Sequence, residues 1–293
     1  MTDGRVPGDE AAQGDDVTRS MLFRGFLALG LALLFLTSAR AEESRLDLVT
    51  KRDKLIVGTY STAPPLSYKD DNGEFTGFEI DLAHLLAKYL LGDPDKIEFV
   101  AFTSDGRWPA VLSGKVDLGL ASTTIYPDRA ARVQFTSPYM DSGISVLVRD
   151  DVPAKTLAEL NDEKYTLANL NNPQMADRAK RFLPKIKTLD FDQPSSLFIA
   201  LKSGQAQAMQ IDTPIIDWYA ANNPGFRVLP EMLSTVQNNA IFIKPGDFIW
   251  WRYLDTVVQE WRWGSRYDDY TALWQKWFKK NPPPQRFYIK QPG

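Results

Sequence analysis

Residues 104–139 read SDGRWPAVLSGKVDLGLASTTIYPDRAARVQFTSPY. The pattern predicts a short helix at 108–113 that Gly114 ends, followed by a buried strand at 116–121. A loop rich in hydroxyl groups comes next and leads to Arg129. Because a guanidinium presents a planar fork of N–H groups, such a loop at the carboxyl end of a strand is suited to holding a small carboxylate.

The first 41 residues have the organisation of a secretory leader. Arg19 and Arg24 precede an apolar run at 25–36, and the Ala-Arg-Ala sequence at 39–41 fits an Ala-x-Ala cleavage site. We expect residues 1–41 to be a leader and a cleaved signal peptide, and the mature protein to lie in the periplasm. An uncleaved signal anchor is the alternative, although the run is shorter than the roughly 20 residues of a membrane span.

Composition excludes several classes of function. The chain has 293 residues, a formal net charge of −3 and no cysteine, so it has neither disulfides nor thiol chemistry. The near-neutral net charge gives no indication of the basic surface that binds nucleic acid. His84, the sole histidine, falls in a helical pattern, and the acidic stretch at 70–74 fits a hairpin turn better than a calcium loop. We expect no cofactor and no metal.

Strands and helices alternate through the rest of the chain, which predicts an α/β protein built from βαβ units with parallel sheets. The predicted strands are 55–58, 97–102, 116–121, 144–148, 165–170, 186–191, 206–211 and 240–244. The predicted helices are 79–91, 108–113, 173–182, 195–203, 214–221, 247–263 and 265–279. Breaks near 149–153 and 235–239 predict two lobes, with 42–149 plus 239–293 forming lobe 1 and 150–238 forming lobe 2. A cleft between such lobes is a favoured ligand site.

Motifs in a fixed order carry a family resemblance. They are LIVGT at 55–59, PLSY at 65–68, GFEIDL at 77–82, LSGKVD at 112–117, TTIYPDR at 123–129, FTSPY at 135–139, LKSG at 201–204 and QID at 210–212. Together they resemble the family 3 periplasmic solute-binding proteins, which serve polar amino-acid ABC transporters. The stretch KWFKKNPP at 276–283 is similar to the tail of the glutamate/aspartate-binding branch. The resemblance implies a two-lobed type II fold with the ligand cleft between the lobes.

The resemblance also implies a set of ligand-binding residues. Arg129 matches the residue that grips the ligand's α-carboxylate, and Asp212 matches the one that binds its α-amino group. Ser122 and Thr124 match positions that contact these same ligand groups. From residue type alone, Arg129 could instead be a surface residue, and Asp212 could cap the helix that follows it. The two hydroxyls could equally bond their own turn.

Two further positions match the acidic-amino-acid branch, and others depart from it. Ser104 and Arg107 match ligand-contacting residues, although Ser104 could instead cap a helix and Arg107 could be solvated. Tyr60 stands where that branch has an arginine for the side-chain carboxylate, which argues against a site specific for glutamate or aspartate. Ala63 replaces an aromatic residue that stacks on the ligand in many members, and the Asn-Asn-Pro turn at 171–173 replaces the usual Gly-Thr-Thr type.

The main hypothesis is therefore a monomeric, non-enzymatic solute-binding protein that delivers an amino acid, or a similar small zwitterion, to an ABC permease in the inner membrane. Tyr60 and Arg107 would line the side-chain end of the ligand. Two alternatives stay open. One is an enzyme on the same fold, like the cyclohexadienyl-dehydratase relatives. The other is a periplasmic accessory protein that binds a protein partner such as a dehydrogenase.

Overall fold

A computed structural model describes residues 1–2 and 43–282 of the chain. The predicted signal-peptide features between Arg19 and Ala41 lie outside the described residues, as do the last two prolines of the run at 282–284. Within the described part, no helix has the length and apolar character that crossing a membrane requires. All elements named below belong to the unit that begins at Ser44.

Twelve strands are present in the described part of this unit. They are β1 (Leu55–Thr59), β2 (Thr62–Ala63), β3 (Ser67–Lys69), β4 (Phe75–Thr76), β5 (Ile97–Ala101), β6 (Leu118–Gly119), β7 (Gln134–Arg149), β8 (Thr166–Leu170), β9 (Lys187–Phe191), β10 (Ala208–Asp212), β11 (Phe226–Val228) and β12 (Ser234–Ile243).

Ten helices accompany the strands. They are α1 (Arg45–Arg52), α2 (Phe78–Leu91), α3 (Arg107–Leu112), α4 (Pro127–Ala130), α5 (Leu157–Leu160), α6 (Pro173–Phe182), α7 (Pro194–Ser203), α8 (Thr213–Asn222), α9 (Phe248–Trp263) and α10 (Tyr267–Phe278). The alternation of these helices with the strands confirms the predicted α/β class.

Local capping explains why several helices begin where the sequence predicts. The side chain of Asn172 accepts a hydrogen bond from the backbone N–H of Met175, and Pro173 occupies the first position of α6. Asp247 accepts in the same way from the N–H of Trp250 at the start of α9. A left-handed Gly92 ends α2, because glycine adopts a positive φ without steric cost.

The main sheet has nine strands in the order β5-β1-β6-β12-β7-β10-β8-β9, and β11 pairs with β7. Strand β1 is parallel to β5 and β6, and β8 is parallel to β9 and β10. The long strands β7 and β12 lie between these two parallel groups and pair antiparallel with each other. The two parallel groups therefore flank the two central strands and run in opposite directions.

Several predicted strands differ in extent from the observed ones; the strand predicted at 144–148 is only the last part of β7, which begins at Gln134. Residues 235–239, where the sequence predicts a break between lobes, lie within β12, whose register against β7 shifts between Ser234 and Gln237 and between Asn239 and Ala240. The strand predicted at 116–121 is paired only at Leu118–Gly119. The backbone of Ser122 then turns into the left-handed region, with φ of 44°, which leads the chain out of the sheet.

Candidate functional site

The loop that follows β6 is anchored by a carboxylate from α2. The backbone N–H and the hydroxyl of Ser122 both donate to Glu79 Oε1, at 2.7 and 3.0 Å. Glu79 is fully buried and also accepts hydrogen bonds from Ser67 and Tyr139. Burial raises the pKa of Glu79, and these hydrogen bonds oppose that rise. The sequence did not single out Glu79, because an acid in the first turn of a helix has an ordinary explanation in the helix dipole.

Thr124 lies in the same loop and faces β12. Its hydroxyl is 3.1 Å from both Gln237 Oε1 and Asn239 Oδ1, and its side chain is buried. An isolated bridge also pairs the backbones of Thr124 and Asn239. The hydroxyl is therefore used between strands rather than within its own turn.

Arg129, on α4, is a buried residue and not the surface arginine that residue type alone allows. It is 5% exposed. Its Nη1 donates to the carbonyl oxygen of Thr124 at 3.0 Å, and its Nη2 donates to Gln174 Oε1 at 2.9 Å. Burial, reinforced by the nearby charge of Arg107, lowers the pKa of Arg129 to about 10. The group still carries its charge at neutral pH.

Asp212 is the last residue of β10 and occupies the position before α8. Its side chain makes no capping hydrogen bond to that helix and instead accepts from Asn239 Nδ2 at 3.1 Å. Burial raises the pKa of Asp212, and the Asn239 bond and the charges of Arg178 and Arg129 oppose the rise. The carboxylate therefore does not cap the helix, which was the alternative that residue type alone allowed.

Arg107 and Tyr60 lie next to each other in the site. Arg107 donates from Nη1 to the hydroxyl of Thr123 at 3.0 Å, and its guanidinium lies 4.5 Å from the ring centre of Trp108 and 5.8 Å from that of Tyr60. The Nε of Arg107 and the hydroxyl of Tyr60 are buried and have no hydrogen-bond partner. Two unsatisfied polar atoms in one place are unusual, because such atoms carry a desolvation cost.

Ser104 lies apart from the other predicted site residues. Its hydroxyl donates to the carbonyl oxygen of Asn171 at 3.1 Å, and its backbone N–H donates to that of Asp192. The local turn before α3 is closed by Thr103, which accepts from the N–H of Gly106. Ser104 therefore neither caps the helix nor lines the cavity described next.

One cavity collects the remaining predicted residues. Its lining contains the predicted Tyr60, Arg107, Ser122, Thr124, Arg129 and Asp212, together with Tyr126, Leu170, Asn172, Gln174, Met175, Arg178, Pro194, Ile211, Ile215 and Gln237. The carboxyl ends of β6, β8 and β10 contribute to it, as expected for ligand sites in open α/β sheets. Arg178 and Gln174, both on α6, were not predicted.

The cavity carries an excess of positive charge. Three guanidiniums, those of Arg107, Arg129 and Arg178, line it with a single carboxylate, that of Asp212. Arg178 donates to the hydroxyl of Tyr126 at 2.9 Å. Across residues 43–282, no group of three or more acidic or histidine side chains is arranged to hold a metal ion. The lining therefore offers opposite charges to an organic ion.

The sequence profile of the bacterial extracellular solute-binding proteins, family 3, matches residues 55–280. The glutamine-binding protein of Geobacillus stearothermophilus is 32% identical over 199 residues, which cover 68% of this chain and 76% of that protein. The ABC transporter glutamine-binding protein GlnH of Bacillus subtilis is 27% identical over 246 residues, covering 84% of this chain and 88% of the relative. This chain belongs to family 3 of the bacterial extracellular solute-binding proteins.

A crystal structure gives the same result for the fold. The ancestral amino acid-binding protein AncCDT-1, described as a precursor of cyclohexadienyl dehydratase, aligns with a TM-score of 0.71 and 36% identity, over 80% of this chain and 100% of that one. The predicted fold class, a two-lobed type II binding protein fold, is confirmed. The family resemblance predicted from the motifs is confirmed as well.

Proposed function

We propose that this protein is the solute-binding component of an amino-acid ABC transporter. It captures an amino acid, or a similar small zwitterion, between its lobes and delivers it to a permease in the inner membrane. The observation that carries the proposal is that Arg129 and Asp212, two buried residues of opposite charge, line one cavity. A zwitterion can offset both charges at once, whereas an ordinary metabolite of one sign offsets only one.

Each predicted residue that lines the cavity then has a role. The fork of Arg129 holds the α-carboxylate, and Asp212 holds the α-ammonium group. Ser122 and Thr124 complete the contacts around these groups. Tyr60 and Arg107 line the side-chain end, where their unpartnered hydroxyl and Nε can bond to the ligand.

Lobe movement is part of the proposal. We propose that lobe 1 comprises 42–149 plus 239–293 and lobe 2 comprises 150–238, so that the chain passes between the lobes at the end of β7 and within β12. Gln174 of lobe 2 bonds to both Arg129 and Asp128 of lobe 1, which supports closure by polar contacts at the cleft. We propose a monomer that reaches the periplasm through a cleaved signal peptide.

The charge of the cavity favours an acidic ligand. Among the described residues, no ion pair involves Arg107, Arg129 or Arg178. A neutral zwitterion offsets one of these cations through its carboxylate, and it leaves two guanidiniums beside the ligand. A second carboxylate offsets another, so Arg107 and Arg178 compensate for the arginine that Tyr60 replaces.

Thermal unfolding tests the binding function. Protein that has been unfolded, washed and refolded is heated with each of the twenty L-amino acids. A ligand at 100 times its Kd should add about 2.7 kcal/mol of stability. Arg129→Ala should abolish the shift. Arg132→Ala, which removes an exposed arginine three residues away, should keep it. An unchanged shift in Arg129→Ala would refute the assignment of that residue.

We further propose that binding occurs without turnover. The lining described above contains no glutamate, histidine or lysine, and its one carboxylate is assigned to the ligand's ammonium group. The hydroxyl of Tyr126 is hydrogen-bonded to Gln237 and Arg178, and that of Tyr60 is assigned to the ligand's side-chain end. Acid–base catalysis needs a positioned group to accept or donate a proton. Purified protein incubated with cyclic dienyl acids should form no aromatic product, which ultraviolet absorbance would detect. Formation of an aromatic product that depends on Asp212 would favour the enzyme alternative.

A further inference from the structure

We infer that Glu79 is a positioning residue for ligand binding, because its buried carboxylate holds Ser122 in the backbone conformation that orients the binding loop at 122–124. The inference rests on the proposed binding function, since it concerns the same site. Glu79 itself does not line the cavity. It acts through the loop.

Both oxygens of the Glu79 carboxylate accept hydrogen bonds. Oε1 accepts from the N–H and the hydroxyl of Ser122 and from the hydroxyl of Tyr139, while Oε2 accepts from Ser67. Glu79 is 0% exposed. The backbone N–H of Ser122 can only donate, so Oε1 of Glu79 serves as its acceptor.

Ser122 needs such an anchor. Its φ of 44° lies in the left-handed region, which residues with a Cβ populate sparsely. Among the described residues, only Asp53 and Lys279 share a positive φ without being glycine, and both end helices. Ser122 ends no helix, so other contacts must hold its left-handed conformation. Glu79 provides them, because it accepts hydrogen bonds from both the backbone N–H and the hydroxyl of Ser122.

The conformation of Ser122 determines where the site arginines are held. The next residue, Thr123, accepts from Arg107 Nη1, and the carbonyl oxygen of Thr124 accepts from Arg129 Nη1. Both bonds are 3.0 Å long. A shift of the loop therefore moves the acceptors of the two guanidiniums, although Glu79 touches neither.

A double-mutant cycle separates this role from a general contribution to stability. Glu79→Met keeps the bulk of the side chain and removes its acceptors. Ser122→Gly permits the left-handed backbone without an anchor. The dissociation constant is measured by calorimetry with L-glutamate, and with L-glutamine and L-cysteine in parallel. Glu79→Met should weaken binding at least about tenfold in the wild-type background and less than about threefold in the Ser122→Gly background.

Two more variants serve as controls. Glu79→Gln retains one acceptor oxygen and should restore part of the affinity. Asp117→Asn changes another buried carboxylate, which bonds to the N–H of Ile56 outside the cavity, and should leave affinity within about twofold. These two variants also keep the comparison open should Glu79→Met fail to fold.

The outcomes are distinct. Equal losses in the two backgrounds, or a loss in Asp117→Asn that matches the loss in Glu79→Gln, would overturn the positioning role and leave the binding function standing. A wild-type protein that binds none of the three amino acids, nor any in the thermal panel, would refute the proposed function, and the positioning role with it.

Discussion

Asn239 joins the two halves of the site. Its side-chain nitrogen donates to Asp212 at the end of β10, and its side-chain oxygen lies 3.1 Å from the hydroxyl of Thr124 in the loop after β6. The amide therefore orients the carboxylate proposed to hold the ligand's ammonium group and a hydroxyl proposed to contact the same ligand. Because Asn239 lies on β12, this link passes through one of the two central strands.

The burial of Asp212 predicts a stability cost at neutral pH. Its pKa is raised above the ordinary value of 3.8, chiefly by desolvation. The folded protein thus binds this proton more tightly than the unfolded chain does. The contribution of Asp212 to stability is present below pH 3.8 and is lost as pH rises through the raised pKa. Asp212→Asn should therefore increase the Tm of the ligand-free protein at pH 7, and the increase should shrink toward pH 3.5.

Melting curves between pH 3.5 and 8 measure this effect. Asp71→Asn, in an exposed turn, serves as the matched control and should give a curve parallel to the wild type. The same Asp212→Asn variant should lose amino-acid binding, which is the usual exchange of stability for function at a site. A lower Tm for Asp212→Asn at pH 7 would show that its hydrogen bond and nearby arginines outweigh the cost of burial.

The three cavity arginines predict discrimination by ligand charge. Glutamate and glutamine, like aspartate and asparagine, differ mainly in charge at nearly constant shape. We expect the acid to bind at least about tenfold more tightly than its amide, equivalent to about 1.4 kcal/mol. Arg178→Gln should reduce that ratio. Arg181→Gln, on the same helix α6 but outside the cavity lining, should preserve it.

Calorimetric titrations of both pairs with the three proteins give the ratios directly. Tighter binding of the amides by the wild type would contradict the charge argument while leaving an amino-acid binding site in place. Equal ratios in Arg178→Gln and Arg181→Gln would mean that Arg178 does not sense the ligand's charge.

Local signals account for what the sequence predicted well. The bounds of α6 and the start of α9 depend on a capping side chain and its neighbours within three residues, so the first was predicted correctly and the second to within one residue. Arg129 and Asp212 each come after a recognisable strand, and the two strands, β6 and β10, point from opposite sides toward the middle of β12 and β7. Their common cavity could thus be anticipated, although the roles assigned to them remain predictions.

The missed residues depend on contacts distant in sequence. Glu79 and Ser122 are 43 residues apart, and no local pattern reveals that a first-turn acid is buried against a loop. Arg178 lies on a helix that also carries Lys180 and Arg181, so the sequence gives no basis for choosing the one that lines the cavity. Ser104 was expected near the ligand because of its motif, yet its hydroxyl bonds to the backbone of Asn171.

This placement of Ser104 predicts an effect that does not depend on the ligand's side chain. Its bond to Asn171 crosses between the proposed lobes and does not reach the cavity lining. Ser104→Ala should therefore weaken all bound amino acids by a similar factor, about fivefold for a hydrogen bond of about 1 kcal/mol. Arg107→Gln should instead change the order of preference. Affinities for one acid–amide pair distinguish the two patterns, and a changed preference in Ser104→Ala would place it in ligand contact.

The buried hydroxyl of Tyr60 predicts a substitution that stabilises the ligand-free protein. Tyr60 is 2% exposed, and its hydroxyl has no hydrogen-bond partner, so Tyr60→Phe removes a desolvation cost of about 1 kcal/mol. Tyr270→Phe is the matched control, because the hydroxyl of Tyr270 donates to the carbonyl oxygen of Tyr139 at 2.9 Å. Loss of this hydrogen bond in Tyr270→Phe should lower the free energy of unfolding by about 1 kcal/mol. Urea titrations without ligand should therefore shift in opposite directions for the two variants. If Tyr60 bonds to the ligand, Tyr60→Phe should also bind it more weakly, and destabilisation of ligand-free Tyr60→Phe would mean that the hydroxyl is already satisfied.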